Sequence, residues 1–293
     1  MSSLLLHSVS YAGFWGQPYL DVEGFLIKAS ELGYDGVMLA AKRPHVSPLD
    51  YDAAARAHLR SRLEHYKLKD LVLAGYCNLT ADLDHTDIPT KEINLAYLTE
   101  LARLAHDLGG RIVRIFTGYE HPAQDYGRQM KLVTETLKEA ARRAADFNVI
   151  LGVQNHHDLA VGHESMLDLI HNVAEPNCLA LYDAWAPALH GEDLTLAAQR
   201  LAPLTIHTTV ADYQKRPRYK YQPALVNYEA QTPFIQAVPM GEGFIDYKAF
   251  FSALKAYGFN GSICYEMCSP LRDGADMATL DRYARRFLEY MRG

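Results

Sequence analysis

The chain has no run of about 18 apolar residues, and no basic stretch precedes the leucines of its opening segment, MSSLLLHSVSYAGF. Neither a transmembrane helix nor a secretory leader is expected, and the sequence reads as cytoplasmic. Positive charge is not in excess: 29 Lys and Arg against 35 Asp and Glu leave a formal net charge of -6. That argues against nucleic acid or an anionic membrane as a partner, since both are held by positive surfaces. Cysteine is scarce. Cys77, Cys178, Cys264 and Cys268 lie on or beside apolar runs without the paired short spacing of a zinc ribbon or redox motif, so they read as reduced core residues. No Gly-x-Gly-x-x-Gly follows the first apolar run, which disfavours a doubly wound nucleotide-binding sheet.

What is present is an alternation of short apolar runs with longer segments of helical period, the pattern of a parallel sheet with crossover helices. Strands are predicted over Leu4 to Val9, Gly36 to Ala40, Asp70 to Tyr76, Arg111 to Phe116, Val149 to Gln154, Cys178 to Tyr182, Leu204 to His207 and Gly261 to Tyr265. Helices are predicted over Tyr126 to Phe147, Asp246 to Tyr257 and Met277 to Met291, the second opening on an Asp and stopping at Gly258. Eight strand and helix pairs in 293 residues match a single α/β domain, a (β/α)8 TIM barrel spanning 1–293. A stretch of about 208–245 after strand seven breaks the rhythm. It carries repeated Tyr and Pro and the basic cluster Lys215, Arg216, Arg218 and Lys220, and reads as a long loop at the barrel mouth or against a second subunit of a homo-oligomer.

Four strand ends carry ligand-type side chains: Gln154 after NVILGV, Asp183 after CLALY, His207 after LAPLTI and Glu266 after GSICY. A carboxylate at the end of a buried strand is costly unless something positive meets it, so the four together suggest one divalent metal ion. Two carboxylates, an imidazole and an amide oxygen suit Mn2+ or Mg2+. His156 follows Gln154 by two residues and points to the same side if strand geometry persists, which makes it a candidate general base, with Glu266 its competitor. His156 and His157 also fit a simple hydrogen-bonding role beside the site. Further substrate contacts are expected from His7, from Lys42 and Arg43, from Trp185 and Tyr213, and from Arg216 and Arg218 in the long loop. His58, His65, His106 and His171 fall in helical segments and read as surface or packing residues.

The segment GEGFIDYKAFFSALKAYGFNGSICYE, together with LGVQNHHD, LALYDAW and LTIHTTVAD in the same order, resembles the sugar phosphate isomerase/epimerase family with the xylose isomerase-like barrel. The resemblance implies one divalent ion, usually manganese, magnesium, cobalt or zinc, held by a Glu, an Asp, a His and a Glu at the ends of strands five to eight. Asp183, His207 and Glu266 match three of those positions. At the fourth this chain has Gln154, which can coordinate only through its amide oxygen and cannot relay a proton. The Asp-x-x-His pattern of related ketose epimerases is also absent, since Asp183 is followed by Ala184, Trp185 and Ala186.

The function expected is therefore metal-dependent isomerisation or epimerisation of a keto sugar or related polyol, by removal of a proton next to a carbonyl. A lyase is the alternative, eliminating across a 3-keto-glycoside or a keto-inositol. An endonuclease of the abasic-site type shares the barrel, but the net charge and the missing ligands of a trinuclear zinc site argue against it.

Overall fold

The computed structural model describes residues 2–84 and 87–293. Eight parallel strands form the barrel: β1 (Leu4–His7), β2 (Gly36–Ala40), β3 (Asp70–Ala74), β4 (Ile112–Ile115), β5 (Ile150–Gln154), β6 (Cys178–Leu181), β7 (His207–Val210) and, after an inserted hairpin of β8 (Asp212–Gln222) and β9 (Asn227–Val238), β10 (Ser262–Tyr265). They hydrogen-bond in the order β6-β5-β4-β3-β2-β1-β10-β7. A single parallel bridge, Ala180 to Thr205, joins β6 to the lead-in of β7 and closes the ring.

Outside the strands run α1 (Val22–Leu32), α2 (Ala53–His65), α3 (Thr90–Asp107), α4 (Tyr126–Ala145), α5 (His163–Val173), the short α6 (Trp185–Leu189), α7 (Leu194–Leu201), α8 (Tyr247–Ala256) and α9 (Met277–Arg292). Asp21, Asp52, Asp125, Asp193, Asp246 and Asp276 each accept a backbone N–H of the first turn of the helix that follows. Such caps satisfy donors that the helix itself cannot pair. His58, His65, His106 and His171 lie on α2, α3 and α5, as expected.

Alternation along the strands divides the core in two. Leu4, Leu6, Val113, Ile115, Leu151 and Val153 join the large cluster between strands and helices. Leu5, Met38, Val72, Ala74 and Cys264 form a small plug inside the barrel. The same alternation turns His7, Arg114 and Gln154 inward above that plug.

Two elements differ from the sequence expectation. Strand seven is His207–Val210, not Leu204–His207, because Ala202–Leu204 forms a 3-10 turn. Pro203 has no N–H to give to a ladder, so this apolar run cannot serve as a central strand. His207 thus opens its strand and pairs with Ser262, while Thr209 pairs with Cys264. The segment read as a long loop is an antiparallel hairpin, β8 (Asp212–Gln222) and β9 (Asn227–Val238), paired over nearly its whole length. Pro217 and Pro233 argued for a loop, but a two-stranded ribbon has two free edges, and its register slips between Arg216 and Arg218 to absorb them. The carboxylate of Asp212 ties down the hairpin base by accepting the N–H groups of Tyr213, Gly241 and Gly243. A Cβ on Gly243 would lie 1.8 Å from that carboxylate, so the close approach requires glycine.

Candidate active site

A cavity of about 760 Å3 opens at the C-terminal ends of the barrel strands. His7, Lys42, Tyr76, Arg114, Gln154 and Glu266 reach it from different strand ends, and Trp185, Tyr213, His156 and Tyr119 build its walls. Among the described residues, Glu266 is the only carboxylate in this lining.

Under the floor lies a hydrogen-bonded knot. The Gln154 amide nitrogen donates to Asp183 Oδ2 at 2.7 Å and to Thr209 Oγ1 at 2.9 Å. The Thr209 hydroxyl donates to the same Asp183 oxygen at 3.2 Å. The backbone N–H of Trp185 donates to Asp183 Oδ1 at 3.1 Å. Asn155 locks the two strand ends together, accepting the Asp183 N–H at 2.7 Å and donating to the Asp183 carbonyl at 3.0 Å. Burial pushes Asp183 up to about 6, against the hydrogen bond from Gln154 that favours its charged form.

Glu266 stands just beyond β10, with Oε2 4.0 Å from Nε2 of His7. Burial pushes its carboxyl up to about 7, opposed by the Arg114 guanidinium. His7 is held by a hydrogen bond between Nδ1 and the Met38 carbonyl, 3.1 Å, and burial, then Arg114, drive it well below the usual imidazole range. The Val9 backbone N–H also points at Nδ1, at 3.3 Å, so this nitrogen lies between a donor and an acceptor, and Nε2 faces Glu266.

His207 is fully buried, its Nδ1 2.7 Å from Ser262 Oγ and its Nε2 without a partner. Burial pushes it down to about 3. His156 lines the cavity, where burial pushes it down to about 4. Its Nδ1 accepts the His157 N–H at 2.7 Å and lies 2.7 Å from His157 Nδ1. An Nδ1 that accepts leaves the proton of the neutral ring on Nε2, so the edge turned away from His157 is a donor. The His157 ring stacks on Phe116 and Tyr119, with centroids 4.4 and 4.5 Å away. Trp185 lies 5.6 Å from His156 and 5.2 Å from Tyr213, closing the opposite wall.

The cavity thus brings together His7, Lys42, Gln154, His156, Trp185, Tyr213 and Glu266 of the residues expected from sequence. Asp183 and His207 lie outside its lining. Arg216 and Arg218 sit on exposed stretches of the hairpin, also outside it. The main residue that sequence reading missed is Arg114, only 2% exposed and aimed into the barrel from β4. Its signal was there: a lone arginine inside the apolar run IVRI, in a strand whose two faces are both covered.

The donor types at the four strand ends suit a divalent ion, but their arrangement does not form its shell. Both N–H groups of the Gln154 amide are spent on Asp183 and Thr209, Asp183 accepts bonds on both oxygens, and His207 pairs with Ser262 four residues before Glu266. Among the described residues, no three His, Cys, Asp or Glu side chains are grouped to share a cation.

The family model described as xylose isomerase-like TIM barrel matches residues 26–291. Similar solved structures include an L-ribulose 3-epimerase, 17% identical, with a TM-score of 0.75 over 99% of this chain and 93% of that one. A D-psicose 3-epimerase with D-tagatose from Clostridium cellulolyticum H10 is 17% identical, with a TM-score of 0.75 over 99% of this chain and 98% of that one. A probable 3-DHS dehydratase from Bacillus anthracis is 16% identical, with a TM-score of 0.72 over 99% and 98%. No curated protein matches the chain. No helix among the described residues is long and apolar enough to cross a membrane.

Proposed function

Because the chain belongs to the xylose isomerase-like TIM barrel family, we propose that it is an enzyme that isomerises or epimerises a small keto sugar or related polyol by moving a proton next to a carbonyl. The observation that carries this reading is Glu266, the one carboxylate lining the cavity among the described residues, which burial pushes up to about 7. A carboxyl poised there is ionised often enough to take a carbon-bound proton and basic enough to hold it. The enediolate left behind needs a donor at its oxygen, and the Nε2–H of His156 is available in the same cavity. His156 is then an electrophile and Glu266 the base, the reverse of the sequence-based ranking. Return of the proton to the neighbouring carbon on the same face gives an aldose–ketose isomerisation with a single carbon base, provided His156 gives its Nε2 proton to the former carbonyl oxygen and takes the hydroxyl proton from the oxygen that becomes the new carbonyl. Trp185, Tyr213 and Tyr119 supply the apolar walls that a sugar face packs against.

Two further readings each rest on an observation. Loss of a β-hydroxyl from the same enediolate makes the enzyme a lyase, a chemistry that the name of the similar dehydratase supports. A divalent ion, Mn2+ or Mg2+, held by Asp183, His207, Glu266 and the Gln154 amide oxygen is favoured by the unpartnered Nε2 of His207, whose other nitrogen Ser262 fixes. That reading requires the Gln154 amide to turn over and release Asp183. The test of the main proposal is incubation with a panel of keto sugars in D2O, followed by NMR. Deuterium beside the carbonyl of a saturated product is the expected result, an unsaturated product converts the reading to the lyase, and turnover without deuterium exchange refutes proton transfer to solvent-exchangeable groups.

A further inference from the structure

The cavity contains two cations, Arg114 and Lys42, that form no ion pair among the described residues. Arg114 has its guanidinium 4.1 Å from the centre of the Phe116 ring and 4.9 Å from that of Tyr76. Lys42 has its ammonium 3.9 Å from the same Tyr76 ring and 4.8 Å from Phe14. Both line the cavity, and among the described residues neither has a carboxylate oxygen within 4.0 Å. Among the described residues, the guanidinium of Arg114 donates from Nη1 to the Gly75 carbonyl at 3.1 Å, and its buried Nε has no partner.

A guanidinium does not shed its proton, so burial cannot neutralise it as it neutralises a lysine or histidine. The aromatic faces offset part of the cost, but they do not satisfy the remaining N–H groups. A buried cation with unspent donors is stable only where something negative visits it. Glu266 faces the same cavity, but its oxygens lie more than 4.0 Å from the guanidinium nitrogens.

We propose that the Lys42–Arg114 corner, built on the faces of Tyr76, is the subsite for an anionic group of the substrate, a carboxylate or a phosphate. The inference deepens the proposed function, on which it rests in taking this cavity as the substrate site: the substrate is a sugar acid or a sugar phosphate in place of a neutral sugar. Arg114 then serves as an anchor that orients the chain of carbinol carbons past Glu266, with Lys42 as the second, more exposed contact. The planar donor edge of Arg114 suits two oxygens of one anion at once.

Titration calorimetry with D-gluconate, D-fructose 6-phosphate, inorganic phosphate and neutral D-fructose tests this. Wild-type protein should bind at least one of the two charged sugars more tightly than D-fructose, and whichever is tighter identifies the anion. R114Q and K42Q should each weaken that binding by about tenfold or more and weaken D-fructose binding by much less, and R114K should recover part of the loss. If R114Q does not fold, K42Q and R114K carry the comparison. Absence of binding by both charged sugars and phosphate, or equal binding by wild type and variants, overturns the subsite. D-fructose binding with solvent exchange but no preference for either anion removes the subsite and leaves the proton-transfer reading intact. Variant-sensitive anion binding without exchange in any substrate does the reverse.

Discussion

The side-chain amide of Gln154 donates to Asp183 Oδ2 at 2.7 Å, so the residue that stands in for a carboxylate acts as a hydrogen-bonded cap on its neighbour. The substitution Gln154→Glu puts two buried carboxylates in contact. It should destabilise the protein by roughly 2 kcal/mol or more at pH 8, since like charges in a low-dielectric site resist joint ionisation. Mn2+ should restore the lost melting temperature in Q154E and have little effect on wild type. Elemental analysis and thermal melts with and without chelator check this. A stoichiometric Mn2+ tightly held by the wild-type chain, and lost in E266Q and H207Q, would show that the side chains regroup around an ion.

Glu266 fixes the pH dependence. The base works only when ionised, so kcat/KM should rise with pH along a limb centred near 7, and E266Q should lower kcat by about 10²-fold or more with that limb gone. For stability, a carboxyl raised from 4.5 to about 7 in the folded state contributes favourably below 4.5, and that contribution is lost as pH rises through 7. E266Q should therefore be more stable than wild type at pH 8, by up to about 3 kcal/mol, with the difference vanishing near pH 4. Denaturant melts at both pH values decide it. Equal stability throughout would mean that the carboxylate has a strong counter-charge.

His156 should behave as a donor. Glutamine retains an N–H and alanine does not, so H156Q should cost less than about tenfold in kcat and H156A about 10²-fold. Both should keep the rising limb near 7. Loss of that limb in H156Q, with folding intact, would return the role of base to histidine.

Arg216 and Arg218 lie on the exposed hairpin outside the cavity lining. The double alanine variant should keep KM within about twofold of wild type, as expected for solvated, screened charges that do not touch the ligand. A KM raised tenfold would place the hairpin over a substrate, in its own barrel or in that of a second subunit.

Much of the barrel was legible because its signal is periodic and local. The runs GVMLA and CLALY need only alternate with amphipathic helices to imply parallel strands, and strand ends then share one face. Strand seven was misplaced by three residues because LAPLTI is as apolar as a strand, while Pro203 prevents it from pairing like one. The hairpin was hidden by its two prolines, and its strands take their order from pairing with each other across a turn.

For the site, the sequence by itself determined which chemical groups arrive at the barrel mouth: Gln154, His156 and Glu266 follow their strands by position alone, and covalent order cannot place them elsewhere. The tertiary structure alone decided what those groups are. Whether Gln154 faces a cation or caps Asp183, which nitrogen of His156 bears the proton, and how far burial raises Glu266 all depend on partners 26 to 55 residues distant in sequence or on the His157 backbone turning back. Arg114 shows the division most clearly. Its charge is written in the chain, but that the charge lies buried in the same cavity as Lys42, with no carboxylate oxygen of the described residues within 4.0 Å, follows only from closing the barrel around it.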